Sequence, residues 1–382
     1  MDVGRGVSRV RGAPPWSASR KPRGPILAPV TSLRAAAPAL AAALLFGAST
    51  PLAKLLLGSV HPLLLAGLLY LGSGLGLSLL LAVRILLRLD GPGEMPAWRI
   101  PRREAGWLAG AILFGGLLGP ALLMAGLART SAASASLLLN LEGVFTAVLA
   151  WVAFRENTDR GIVLGMVAIV AGGALLAWEP GGATFSPGAL LVAGACLCWA
   201  IDNNLTRKVS TNDAMLVACL KGGIAGLCNA GLALAAGASW PAWPQVASAM
   251  LVGFFGYGLS LALFVVGLRT LGTARTGAYF SVAPLFGVVL ALAIWPGLPG
   301  VLFWIAAALM AAGLWLHLRE RHEHVHTHEP LEHTHGHRHD EHHRHAHAFA
   351  WAGDEPHVHP HRHEVLTHKH PHYPDIHHRH RH

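Results

Sequence analysis

Between residues 37 and 318 the chain is a succession of long apolar blocks with short connections, and this spacing limits its possible folds more than any other feature. The blocks run approximately 37–57, 63–83, 105–127, 131–152, 161–178, 187–206, 213–236, 247–268, 274–295 and 299–318. Each is roughly 18–25 residues, enough to cross a hydrocarbon core about 30 Å thick. Lipid offers no partner to backbone N–H and C=O groups, so such blocks must satisfy them internally, as helices. Charged residues make up 13% of the chain and hydrophobic residues 53%, whereas a soluble domain carries about 25% charge. The fold class that follows is an all-α integral membrane protein of ten transmembrane helices.

Basic residues set the expected orientation. Arg5, Arg9, Arg11, Arg20, Lys21, Arg23 and Arg34 precede the first span. Arg84, Arg88, Arg99, Arg102 and Arg103 fill the second loop, Arg155 and Arg160 the fourth, Arg207 and Lys208 the sixth, and Arg269 and Arg275 the eighth. Arg129 is the exception, in an alternate loop. Both termini are therefore expected in the cytoplasm, in a bacterial inner membrane. Residues 1–35 lack periodicity and read as a disordered basic segment rather than a cleaved signal. The net charge of +9 then lies beside anionic lipid, and no folded basic module points to nucleic acid.

Cys196, Cys198, Cys219 and Cys228 all fall inside the sixth and seventh spans. Residues two apart on a helix point about 200° apart, so the C-x-C of "ACLC" is a poor chelator. Small buried residues are the better reading, with no disulfide framework.

The chain also resembles itself. "GLARTSAASASLLLNLEGVFTAVLAW" (126–151) aligns without a gap on "GLRTLGTARTGAYFSVAPLFGVVLAL" (267–292), placing Gly126 on Gly267 and Phe145 on Phe286. "LLFGASTPLAKLL" (44–56) lies over "LCWAIDNNLTRKV" (197–209), with Lys54 over Arg207. Five spans per half is an odd number, so the second copy enters the membrane from the opposite side, an inverted repeat with its site between the copies. The domains read as 36–178 and 187–318, followed by a tail, 319–382. This topology, with the "FRE" of Phe154, Arg155 and Glu156 closing the fourth span, resembles the EamA-type drug/metabolite transporter superfamily. The second half departs from it, with "AIWPGLPG" (293–300) carrying no acid. The resemblance implies alternating-access transport of a small solute, often export. It also implies a cavity built from the first four spans of each half, the fifth and tenth being peripheral.

Ionisable residues in spans are functional candidates. Glu142 sits near the midplane of the fourth span, with no basic residue of another span at its depth. Ser136, Asn140, Gly143 and Ala147 form a small-residue seam on the other side of that helix. Packing along the seam would turn Glu142 toward the cavity, where it could exchange a proton or hold a cation. A hydrogen-bonded structural glutamate is the alternative; the aligned residue in the second half is Ala283, followed by Pro284. Asp202 and Lys221 lie at similar depth on the sixth and seventh spans and are expected to pair, as a packing contact or a gate. Asn203 and Asn204 extend that polar stretch as substrate or helix ligands. Lys54 is read chiefly as an interfacial, snorkelling residue, and Glu156 as a loop or capping acid. Pro51, Pro120 and Pro284 can kink their helices, and "GSGLG" (72–76), "GGLLG" (115–119) and "GGIAG" (222–226) mark close helix contacts.

From residue 317 onward lie 24 of the 25 histidines, many as H-x-H. With too few apolar residues for a core, the tail is expected to be disordered. His322, His324, His326, His328, His333, His335, His337, His339, His359, His361 and His363 are candidate ligands for Ni, Co, Zn or Cu, without geometric selectivity. A tolerated low-complexity expansion and a polycation titrating around 6.5 compete with that reading. No cofactor is required and no catalytic constellation or P-loop is present, so an enzyme is not expected. Three functions remain: a secondary exporter of a small metabolite or drug-like solute with possible proton coupling; a divalent metal transporter or metal-regulated transporter; and a membrane-anchored metal buffer. The spans hold no histidine before His317 at the end of the tenth, which weighs against the second, and a buffer has no need of two repeats. A homodimer is left open.

Overall fold

The computed structural model describes residues 33–87, 102–154, 160–178, 185–206, 214–271, 273–319, 323–328, 332–337, 357–362 and 366–371. Ten apolar helices carry the fold: α1 Leu33–Leu56, α2 Pro62–Leu86, α3 Glu104–Arg129, α4 Ala132–Val152, α5 Arg160–Ala177, α6 Pro187–Thr206, α7 Ala214–Ala235, α8 Trp243–Leu268, α9 Thr276–Ile294 and α10 Val301–Arg319. Eight of them are long and apolar enough to cross a membrane, and α5 and α10 contribute shorter apolar stretches, Gly161–Ala177 and Val301–Leu316. Leu, Ala and Gly dominate these segments. Their starts use residues that need no N–H: Pro62 opens α2 and Pro187 opens α6, where proline's missing donor costs nothing. Ser131 caps α4, its Oγ accepting the Ser134 N–H at 3.0 Å, so two residues suffice to reverse the chain after α3.

Helix contacts come in pairs related by exchanging the halves. α1 packs on α8 and α9, and α6 packs correspondingly on α3 and α4; α2 meets α8 as α7 meets α3. α2 and α7 cross each other, as do α4 and α9, and α5 and α10. The last pair touches the remaining helices little, which leaves α1–α4 and α6–α9 to surround the centre. The α2–α7 crossing is made by the glycine clusters: a Cβ on Gly222 would stand 2.8 Å from the Gly74 Cα, and one on Gly67 2.9 Å from the Ala230 Cβ. Side chains there would force the backbones apart.

The irregularities repeat too. α3 contains a π-helical stretch, Ile112–Leu118, and α8 contains one at Phe254–Leu259. α4 is interrupted at 139–140 and α9 at 281–282. None of these four features is visible as a break in the hydropathy of the chain, which shows only uninterrupted spans.

The described parts of the histidine-rich tail depart from the structureless segment expected of its composition. Strands β1 Glu323–His328 and β4 Leu366–Pro371 pair antiparallel, as do β2 Glu332–His337 and β3 His357–Arg362. H-x-H has the period of two that a strand requires, a pattern that composition alone does not weigh. Residues 1–32 lie outside the described residues.

Candidate functional site

Pro120 explains much of the centre. A proline has no N–H, so in π register it leaves the Gly115 carbonyl without a helical donor, and in α register the Gly116 carbonyl. Neighbouring helices supply both. The Tyr70 hydroxyl donates to Gly115 O at 2.8 Å and the Trp199 indole N–H at 3.0 Å. The Asn229 amide donates to Gly116 O at 3.1 Å. α2, α6 and α7 are thus pinned to one stretch of α3. "GGLLG", expected to mark only helix contact, is also the acceptor for this clasp. Tyr70, Trp199 and Asn229 were not singled out by sequence; an in-span proline beside in-span Tyr, Trp and Asn was the available signal.

Glu142 opens the second part of α4, just past the interruption, where its N–H reaches Leu139 O at 3.1 Å and its carboxylate sits at a helix N-terminus. Asn203 of α6 donates to Glu142 Oε1 at 3.0 Å and to Thr146 Oγ1 at 3.3 Å. Asn204 donates to Ala200 O at 2.9 Å and to Thr146 O at 3.4 Å. The acid, read as having no basic residue of another span at its depth, is hydrogen-bonded to a neutral amide. The small-residue seam needs correction as well. Ser136 is 1% exposed and abuts Gly287 of α9, but nothing lies within 4 Å of where a Gly143 Cβ would stand. The interruption resets the helical phase, so the two residues do not share one packing face.

On another side of α6, Asp202 is 6% exposed and forms the expected ion pair, with Lys221 Nζ 2.6 Å from both carboxylate oxygens. Thr206 Oγ1 donates to Asp202 Oδ1 at 2.8 Å. Gly115 makes room for this carboxylate: a Cβ there would collide with the Asp202 side chain. The repeat-related position is instructive. Gly256 abuts Ser49 just as Gly115 abuts Asp202, and Ala283 meets Gly47 of α1 where Glu142 meets Asn203 of α6. One crossing carries the charges and its counterpart is uncharged.

Both halves contribute rings. Tyr70 and Tyr257 stand 5.7 Å apart between centroids, Tyr257 meets Phe46 edge-on at 5.9 Å, and Phe46 meets Phe280 at 5.4 Å. Tyr70, Tyr257 and Glu142 are each surrounded by protein yet retain accessible surface. The Tyr70 hydroxyl and the Asp202 carboxylate both lie against Gly115, which brings this ring and that acid together.

The other sequence candidates lie elsewhere. Lys54 meets the end of the third span: its Nζ donates to Leu127 O at 2.5 Å and Ala128 O at 3.4 Å, capping the carbonyl end of α3. Pro51 lies within an unbroken α1, and Pro284 at the start of the second part of α9. Cys196 is buried and donates to Leu138 O at 3.5 Å, Cys198 is buried, Cys219 half-buried, and Cys228 exposed rather than buried. Glu156, His322, His339 and His363 lie outside the described residues. Among the described residues, no three His, Cys, Asp or Glu side chains converge as a metal would require.

The architecture has known counterparts. A transporter of Methanothermobacter thermautotrophicus, described as uncharacterized, is 29% identical over 266 residues, covering 67% of this chain and 77% of that protein. A solved crystal structure superposes with a TM-score of 0.54 at 20% identity, over 75% of this chain and 96% of its own, which is a likeness of fold. The model of the EamA-like transporter family matches twice, over residues 33–178 and 186–319, once per five-helix half. With ten apolar helices, two inverted repeats and both halves matched, the chain is an integral membrane protein that belongs to the EamA-like transporter family.

Proposed function

We propose that this transporter is a secondary exporter of a small metabolite or drug-like solute, working by alternating access and driven by protons, with Glu142 as the exchanging acid. The observation that carries the reading is the placement of Glu142: in the middle of its span, partly accessible, and held by a neutral amide rather than a cation. Asn203 donates to one carboxylate oxygen and leaves the other to solvent or substrate, so the hydrogen bond survives in either protonation state. Asp202 is a poorer candidate, because Lys221 already neutralises it. The Asp202–Lys221 pair and the Gly115 clasp then act as fixed framework around a single working acid.

Outward transport is the direction implied by the drug/metabolite transporter resemblance. The distribution of basic residues supports cytoplasmic termini, and the reading sets the protein in a bacterial inner membrane. The tail is incidental to transport on this reading, and the metal alternative has no ligand cluster among the described residues to support it. Efflux from preloaded cells tests the proposal. Cells expressing the full chain or a 319–382 deletion should lose solute at equal rates, and a protonophore should abolish the difference from cells lacking the protein. Efflux that survives the protonophore would contradict proton coupling, and a deletion that halts it would restore a role for the tail.

A further inference from the structure

The two ribbons of the tail sort their histidines. In β1–β4, His324 lies opposite His370 and His326 opposite His368. In β2–β3, His333 lies opposite His361, His335 opposite His359 and His337 opposite His357. Residues two apart on a strand share a face, and so do residues directly opposite across an antiparallel pair. Every histidine of the four strands therefore falls on one face of its ribbon, and the interleaved Glu, Val, Thr, Lys, Pro, Gly and Arg residues fall on the other. A slip of one residue in either register would put the two strands' histidines on opposite faces.

These strands hold too few apolar residues for a core, and a lone two-stranded ribbon has little stability in water. The matched register has another source of energy within reach. Two adjacent His–His pairs mark a rectangle about 5 Å across the strands and about 7 Å along them. An ion over its centre stands about 4 Å laterally from each Cβ, a gap that an imidazole and a metal–nitrogen bond of about 2.0–2.1 Å can span. β1–β4 offers one such rectangle, and β2–β3 offers two that share His335 and His359. The helices offer nothing comparable, since no three His, Cys, Asp or Glu side chains converge among the described residues.

We propose that each ribbon is a divalent transition-metal site, in which four histidines of two adjacent cross-strand pairs take one ion and the ion staples the strands together. His324, His326, His368 and His370 form the first site. His335 and His359 form the second with a neighbouring pair. All-nitrogen ligation suits Zn²⁺, Ni²⁺ and Cu²⁺ and disfavours Mg²⁺ and Ca²⁺, which take oxygen. Metal binding and strand pairing are then one event, separate from Glu142 and from solute transport.

Zn²⁺ alone is the probe, with the full-length protein in lipid nanodiscs and no added histidine tag. Competition against a chromophoric chelator should show two tightly held ions per chain, displaced by neither Mg²⁺ nor Ca²⁺ in excess. When Zn²⁺ replaces EDTA, backbone hydrogen exchange read by mass spectrometry should slow at least about tenfold in 323–328, 332–337, 357–362 and 366–371. The decisive variant keeps the composition and breaks the alternation: Val358→His with His359→Val, Arg362→His with His363→Arg, and Lys369→His with His370→Lys. It leaves no H-x-H in β3 or β4, so neither strand can offer two adjacent histidines to a partner in any register. Both ions should then bind at least about tenfold more weakly, and the exchange protection should vanish. Unchanged Zn²⁺ affinity in this variant would overturn the proposal, because histidine content and not register would hold the ion. Strands equally protected in EDTA, or protected as well by Mg²⁺, would overturn it too.

Discussion

Replacing Asn229 with leucine, a near-isosteric change, removes the donor to Gly116 O while leaving Pro120 unable to supply one. Asn229 is 1% exposed, so neither water nor lipid headgroups can take its place. Orphaning a buried polar group costs about 1–3 kcal/mol, but interhelical hydrogen bonds in membranes average only about 0.6 kcal/mol, because the reference state also finds partners. The 3.1 Å bond to Gly116 O is well formed and the 3.5 Å approach to Leu117 O adds little. A loss of about 1 kcal/mol is therefore expected. Pro120→Ala returns an N–H that reaches Gly116 O in α register. The second change should then recover most of the first, giving a coupling of about 1 kcal/mol in a double-mutant cycle. Reversible denaturant unfolding of the purified protein in bicelles reads all four corners. Additivity within about 0.3 kcal/mol would refute the claim that Pro120 frees this carbonyl and Asn229 satisfies it.

Further perturbations probe the neighbouring contacts. Gly115→Ala should drive a methyl into the Asp202 carboxylate, destabilising the protein by about 1–3 kcal/mol, whereas Gly143→Ala, facing open space, should cost nothing measurable in the same unfolding assay. Asp202→Asn leaves Lys221 without its counter-ion; the loss should approach, without reaching, the roughly 3–5 kcal/mol of a fully buried pair, and Asp202→Asn with Lys221→Met should recover a large part of it. Lys54→Met should lower stability by about 0.5–1 kcal/mol through the uncapped α3 carbonyls, as read by the same assay.

The spans, their number and the inverted repeat were legible because they rest on length, apolarity and the direct match of 126–151 to 267–292. The Asp202–Lys221 pair was legible from depth alone, since both residues count from the same ends of adjacent helices. What escaped depends on departures from a regular helix. A uniform period run through Ser136 and Gly143 predicts one packing face, but the interruption at 139–140 separates them and turns Glu142 to Asn203. The π stretch of α3 gives no hydropathy signal, so Tyr70 and Trp199 read as ordinary apolar residues until Gly115 O is seen to need donors. Lys54 had two solutions of similar cost, outward to water or across to a helix end, and only packing decides between them.

Proton-driven transport by Glu142→Gln in proteoliposomes tests the central claim most directly. Solute accumulation against its gradient under an imposed pH difference should be lost. Solute exchange at equal pH and saturating solute should continue, because the amide keeps the fold and the contact with Asn203. Accumulation at the wild-type rate in Glu142→Gln would contradict the account, and the exchanging acid would have to be sought elsewhere in the chain.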